Sequence, residues 1–153
     1  PLRIRLTVTY RGKLEVTTTP FEPEPESKVW RLRIANQRLS SDDAFLRHKT
    51  TRRDVYEAAR AEFAPKDADE VLMLNERGEL CEGTMTNIFV EDADGRLLTP
   101  ALSSGLLPGV LRAELIREGQ ARAEVLQPAA LQNRRLFVGN SLRGLVPAEL
   151  VND

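Results

Sequence analysis

Lys49 stands in the run His48-Lys49-Thr50-Thr51-Arg52-Arg53, just ahead of Asp54-Val55-Tyr56-Glu57-Ala58-Ala59-Arg60. Nearby positive charge favours the neutral form of an ammonium group, and a neutral amine is a nucleophile. An exposed lysine at a helix start is ordinarily a solvated charge, so its weight depends on what else the chain offers. Glu82 lies in Cys81-Glu82-Gly83-Thr84-Met85-Thr86-Asn87, a carboxylate followed by glycine and small polar residues at the start of a strand headed into the core. A buried carboxylate must find a partner or take up a proton. A cationic ring nitrogen would be such a partner, and a strand-edge acid facing water is the plain alternative. The run Leu102-Ser103-Ser104-Gly105-Leu106-Leu107-Pro108-Gly109-Val110-Leu111-Arg112 leads into a predicted helix. Unpaired N–H groups and the dipole at such an end can hold an anion, although an ordinary capped helix has the same look. Gly139-Asn140-Ser141 adds a hydroxyl and backbone donors, or is simply a turn.

A lysine amine, a carboxylate for a pyridine nitrogen and a phosphate cradle are together what pyridoxal phosphate requires. The lysine holds the aldehyde, the carboxylate keeps the ring protonated as an electron sink, and the helix end fixes the phosphate. Each signal is weak alone; their joint appearance in this order is not. His48, the only histidine, is a proton shuttle or a packing residue. Cys81 reads as a small buried side chain. Neither pairs with other ligands at metal spacing, so no metal is expected.

The elements that must carry these residues follow from pattern. Arg3 to Tyr10 and Lys13 to Thr17 alternate polar and apolar residues about Arg11-Gly12, predicting a hairpin of half-buried strands. Phe21-Glu22-Pro23-Glu24-Pro25-Glu26 is a stiff connector, Val29 to Ile34 a third strand, and Asn36 to Ala44 irregular chain. A helix is expected from Asp54 to about Phe63, ended by Pro65. Glu70 to Leu74, Glu79 to Cys81, Thr86 to Glu91 and Arg96 to Thr99 read as strands, with those from Val71 to Thr99 forming an antiparallel meander. Pro108 to Glu118 is an amphipathic helix, with proline near its first turn and Gly119 past its end. Ala123 to Leu126, Leu136 to Gly139 and Gly144 to Pro147 complete the strands, with a short helix at Pro128 to Gln132. The expectation is one mixed α/β domain of α+β type over 1–153, an antiparallel-strand-rich pseudo-barrel with flanking helices.

The totals agree with a single core: 153 residues, 22 basic and 23 acidic side chains and a net charge of −1. That balance offers nothing to a nucleic acid or an acidic membrane surface. A single cysteine suits the cytoplasm, and no apolar run approaches the ~20 residues of a membrane span. The chain begins at Pro1 without an initiator methionine, consistent with a processed product or a piece of something longer.

The motifs His48-Lys49-Thr50-Thr51, Asn75-Glu76-Arg77-Gly78-Glu79-Leu80-Cys81-Glu82-Gly83-Thr84-Met85-Thr86-Asn87-Ile88-Phe89-Val90 and Ser104-Gly105-Leu106-Leu107-Pro108-Gly109-Val110-Leu111-Arg112 strongly resemble the fold-type IV (class IV) pyridoxal-phosphate enzymes. That family includes branched-chain and D-amino-acid aminotransferases and 4-amino-4-deoxychorismate lyase. Within it, His48 to Thr51 and Gly139-Asn140-Ser141-Leu142-Arg143-Gly144 look most like the lyase branch, especially forms fused behind an aminodeoxychorismate synthase. The match covers about 45–147, with 1–44 a strand-rich opening part. The resemblance implies that Lys49 is the Schiff-base lysine and Glu82 the carboxylate facing the pyridine nitrogen. It implies that the backbone N–H groups of Val110 and Leu111 hold the phosphate with the Ser141 hydroxyl, and that Thr86 and Asn87 line the ring. It further implies a small-molecule amine substrate and a homodimer. Two departures stand out. The family's N-terminal domain, which supplies a phosphate-binding arginine and much of the substrate pocket, has no counterpart here. The aminotransferases' tyrosine close after the lysine falls near Asp54, with Tyr56 beyond it, which weighs toward a lyase. Three functions remain in view: release of pyruvate from aminodeoxychorismate to give 4-aminobenzoate, transamination of branched-chain or D-amino acids, and a non-catalytic fragment.

Overall fold

A computed structural model describes residues 1–151. Strands β1 (Leu2–Val8) and β2 (Leu14–Pro20) form a two-stranded sheet of their own. They pair from Leu2 opposite Pro20 to Val8 opposite Leu14. The half-burial expected of these strands is not found. Leu2, Ile4, Leu6, Val8, Leu14 and Val16 share one face and remain between 60% and 69% exposed. Alternation specifies which residues share a face, not whether anything covers it.

The other eight strands make one sheet: β3 (Trp30–Leu39), β4 (Glu70–Asn75), β5 (Leu80–Gly83), β6 (Asn87–Glu91), β7 (Leu97–Pro100), β8 (Ala121–Glu124), β9 (Leu136–Asn140) and β10 (Gly144–Leu150). Their spatial order is β5-β4-β3-β10-β9-β6-β7-β8. The expected meander is therefore broken between β5 and β6. β6 leaves β5 and pairs with β9, Ile88 standing opposite Val138. Three pairings, β3 with β4, β3 with β10 and β7 with β8, are parallel. The sheet curls until its two ends meet, where the Leu80 N–H on β5 donates to the Leu126 carbonyl just past β8 at 2.8 Å. This closure makes the expected pseudo-barrel and leaves little free edge.

Period two then divides the side chains. Leu32, Leu72, Leu74, Ile88, Val90, Leu136, Val138 and Val146 fill the barrel interior with Trp30. Val71, Met73 and Cys81 face the other way, under helix α1 (Asp54–Arg60), with Tyr56 and Ala59. Phe89 and Phe137 face helix α2 (Val110–Arg117) through Leu111 and Leu115. Two local expectations are adjusted. β3 runs on to Leu39, because Arg38 and Leu39 pair with Leu74 and Asn75 after a register shift, so Asn36 to Leu39 is not irregular. α1 stops at Arg60 rather than Phe63.

α2 begins at Val110 with Gly109 as N-cap, so Pro108 stands before the helix rather than in its first turn. Its C-terminus closes on Gly119, whose φ of 73° suits glycine. There the Gly119 N–H reaches Ile116 O and the Gln120 N–H reaches Leu115 O, a Schellman cap. No helix among the described residues is long and apolar enough to cross a membrane.

Candidate functional site

A pocket of about 410 Å³ opens where the loop before α1, the β5–β6 turn, the start of α2 and the β9–β10 turn converge. Lys49, Glu82, Thr86, Asn87, Val110 and Ser141 all line it. Leu111 does not. Its side chain packs beside Gly139, where a Cβ would stand 2.8 Å from Leu111 Cδ2, and against the Phe89–Leu115 cluster.

Lys49 is exposed, in the loop between the one-turn helix Ala44–Arg47 and α1. Its ammonium makes no hydrogen bond or ion pair with the described residues. The loop itself is tied down. Ser41 donates its N–H (2.8 Å) and hydroxyl (2.5 Å) to Glu76, and the Asp43 carboxylate accepts the Phe45 N–H at 2.9 Å. Glu76 belongs to the Asn75–Gly78 turn, which Arg77 links to Glu79 and to Ser103 O. The turn motif thus anchors the lysine loop to the sheet. His48 lines the pocket as an exposed side chain.

Glu82 is 5% exposed. Strict alternation along β5 would send it to the barrel interior with Leu80. Instead the strand bulges: Met73 pairs with Glu82 and Leu74 with Leu80, leaving Cys81 extra. The bulge re-aims Glu82 to the face of Met73 and α1. There the Tyr56 hydroxyl donates to Glu82 Oε1 at 2.7 Å. Burial raises the Glu82 carboxyl to about 7, with Glu70 adding to the rise, while the hydrogen bond from Tyr56 and the charge of Arg53 oppose it. Burial and the adjoining Glu82 also raise the Tyr56 phenol, so Tyr56 remains a donor. Arg53 stacks on the Tyr56 ring at 4.9 Å and donates to the Thr84 carbonyl.

Tyr56 is the pocket residue that sequence reading passed over. Its spacing from Lys49 did not match the expected tyrosine, yet it brings a phenol to Glu82. The signal was available in Val55, Tyr56 and Ala59 falling on the inward face of one helix.

The opposite wall is the start of α2, which no side chain caps. Asn87 holds its approach, donating from Nδ2 to Leu107 O at 3.0 Å. Asn87 Oδ1 sits where a Cβ on Gly109 would be, 2.2 Å away, so glycine is required there by space. The Asn140 side chain accepts the N–H groups of Leu142 (3.1 Å) and Arg143 (3.0 Å), and donates to Met85 O at 3.1 Å. That bond ties the β9–β10 turn, with Ser141, to the β5–β6 turn. Thr86 lines the pocket without a free hydroxyl, since that group donates to Glu70 at 2.7 Å.

The donor set is chemically coherent. One wall offers unpaired N–H groups to an anion. Another offers a buried carboxyl whose ionisation awaits a cation, and an unpartnered amine stands at the mouth. An aromatic aldehyde bearing a phosphate and a basic ring nitrogen fits these three demands together. Cys81 is no rival nucleophile: it is buried, its thiol is pushed up to about 12 by burial, and Sγ lies 3.2 Å from Ser104 O.

Comparison with known proteins agrees. The chain is 52% identical to a provisionally named amino-acid aminotransferase of known structure from Mesorhizobium loti, covering 98% of this chain and 73% of that one, with a TM-score of 0.96. It is 28% identical over 141 residues to a provisionally named branched-chain-amino-acid aminotransferase of Thermotoga maritima, 86% of this chain and 49% of that protein. It is 27% identical over 156 residues to a provisionally named aminodeoxychorismate lyase of Schizosaccharomyces pombe, 97% of this chain and 67% of that protein. The chain thus spans about half the length of the Thermotoga relative. The amino-transferase class IV family matches residues 2–151, which is all but the first of the described residues, and the chain belongs to that family of enzymes.

Proposed function

We propose that the pocket binds pyridoxal 5'-phosphate and that the protein acts as an aminodeoxychorismate lyase-like enzyme, releasing pyruvate from 4-amino-4-deoxychorismate to leave 4-aminobenzoate. The observation that carries the cofactor reading is the convergence of Lys49, the Glu82–Tyr56 pair and the uncapped start of α2 on one pocket. Lys49 would hold the cofactor's aldehyde, the N–H groups of Val110 and Leu111 with Ser141 its phosphate, and Glu82 its ring nitrogen. Bound there, the cofactor supplies an electron sink for the carbon that carries the substrate amine. The chain's residues do the rest. Glu82 would pass its carboxyl proton to a basic ring nitrogen beside it, and the resulting carboxylate would keep that nitrogen charged. Tyr56 stabilises the charged carboxylate by its hydrogen bond. Lys49, once freed by the substrate's amine, would take and return a proton as general base and acid. Asn87 keeps the α2 start at its working distance. In this reading the chain works beside an N-terminal domain and as a homodimer, in the cytoplasm.

Transamination is the second reading, favoured by one observation. A tyrosine hydroxyl, missing at the expected spacing after Lys49, does line the pocket through Tyr56, where it donates to Glu82. Two measurements decide. Titration with pyridoxal phosphate, borohydride reduction and peptide mass mapping should place the label on Lys49 and find none in Lys49→Ala; a label that survives the substitution sinks the assignment. Pyruvate release from aminodeoxychorismate then supports the lyase, whereas amine transfer to 2-oxoglutarate overturns it in favour of the aminotransferase.

A further inference from the structure

Glu70, the first residue of β4, is fully buried yet lies outside the lining of the pocket. Its carboxylate accepts hydrogen bonds from the Val71 N–H (2.8 Å), the Thr84 N–H (3.0 Å), the Thr84 hydroxyl (2.6 Å), the Met85 N–H (3.1 Å) and the Thr86 hydroxyl (2.7 Å). Four of these five donors come from Thr84, Met85 and Thr86, the residues that carry the chain from β5 to β6. Gly83 completes the enclosure. A Cβ there would lie 2.6 Å from both Cδ and Oε2 of Glu70, and 2.7 Å from Thr86 Oγ1. Buried carboxylates are tolerated only when hydrogen-bonded, and here the donors belong almost wholly to one turn. Carboxylate and turn therefore constrain each other. Beyond Glu70 the turn has one backbone bond across it, Gly83 N–H to Thr86 O at 2.8 Å, one to the sheet, Thr84 N–H to Val71 O at 3.0 Å, and two side-chain donors to its carbonyls, Arg53 to Thr84 O and Asn140 Nδ2 to Met85 O, all of which leave its hydroxyls and the Met85 N–H to Glu70.

We infer that Glu70 is a positioning residue for this site: its carboxylate is the internal template on which the Gly83–Thr86 turn is wound, and that turn sets Glu82 and Asn87 on adjoining walls of the pocket. Glu82 precedes the turn and Asn87 follows it, so a change in the turn moves the ring-facing carboxylate relative to the amide that holds the α2 start. The threonines of the motif serve Glu70 through their hydroxyls, and glycine follows Glu82 because the template leaves no room for a side chain. The inference rests on the reading of the pocket as a cofactor site.

The test uses the full chain as wild type, Glu70→Gln, Thr86→Val and Thr86→Ser, read by backbone amide exchange without cofactor and by the absorbance of bound pyridoxal phosphate. Glu70→Gln should speed exchange across 83–87 by about tenfold or more, as loss of charge-assisted hydrogen bonds implies, with β9 unchanged. The dissociation constant for pyridoxal phosphate should rise by a similar factor of roughly ten. Thr86→Val should show both effects in smaller measure, and Thr86→Ser, which keeps the hydroxyl, should restore both. If Glu70→Gln fails to fold, the Thr86 pair decides alone. Exchange at 83–87 within about twofold of wild type, or cofactor affinity unchanged while the turn loosens, overturns the inference. Wild-type protein that takes up no pyridoxal phosphate overturns the cofactor reading instead, and exchange still shows whether Glu70 holds the turn.

Discussion

The ionisation of Glu82 links the site to stability in a way that can be measured without substrate. In the cofactor-free fold its carboxyl is raised from an ordinary 4.5 to about 7, chiefly by burial. The unfolded chain gives up this proton near 4.5, while the folded chain keeps it to about 7. Between those values the folded state binds more protons, so unfolding free energy falls as pH rises. At about 1.4 kcal/mol per pH unit the loss amounts to roughly 3 kcal/mol, complete above pH 7. Glu82→Gln removes the titration and keeps the side chain's size, so its stability should be flat in this respect. The assay is urea unfolding of both proteins at intervals from pH 5 to pH 8. Stability of the wild type relative to Glu82→Gln should decline across the window, and taking the difference cancels every group the two proteins share. Tyr56→Phe removes a hydrogen bond that favours the ionised form, so its decline should keep the one-proton slope and extend to higher pH. A saturating cationic ring partner should flatten the slope, because Glu82 then ionises in the fold. A wild-type profile parallel to that of Glu82→Gln would refute the argument, since it would mean that Glu82 reaches water or a cation in the empty pocket.

Three further outcomes follow from the contacts. Gly109→Ala puts a Cβ 2.2 Å from Asn87 Oδ1, so the Asn87–Leu107 bond should break and pyridoxal-phosphate affinity fall by about tenfold or more, ~1.4 kcal/mol, by fluorescence titration. Glu76→Ala releases Ser41 from the turn; proteolysis and amide exchange should accelerate over 40–50, and urea stability should fall by about 1–2 kcal/mol because the N–H and hydroxyl of buried Ser41 lose their acceptor. Cys81, buried and with its thiol at about 12, should react with a thiol reagent at pH 8 only as fast as the chain unfolds; fast labelling of the folded protein would contradict its placement.

Much of the site was legible because its parts are local. Lys49, Glu82, Asn87, the Gly109-Val110-Leu111 run and Ser141 each lie in a short motif, and all but Leu111 line the same pocket. Tyr56 was discounted on spacing, because linear distance from Lys49 says little when a loop and the first turn of α1 intervene. Thr86 was read as a pocket residue, and its hydroxyl turns out to face Glu70. Glu70 itself looked like an ordinary strand residue, since nothing local distinguishes a buried template from an exposed acid.

The sequence by itself determined the strands, their apolar faces, the two helices and the glycines at turns, since these depend on periods of two and 3.6 and on local backbone freedom. It could not decide which strand lies beside which. β6 could have stayed with β5; it pairs with β9 because the bulge at Cys81 and the turn held by Glu70 divert it, and because Ile88 and Val138 then share the interior. That choice rests on packing between residues some fifty positions apart, and a buried carboxylate finds its donors only after the barrel has closed. The residue types that single out Lys49 and Glu82 lie in their neighbours along the chain, and their meeting in one pocket was decided by the closing of the sheet.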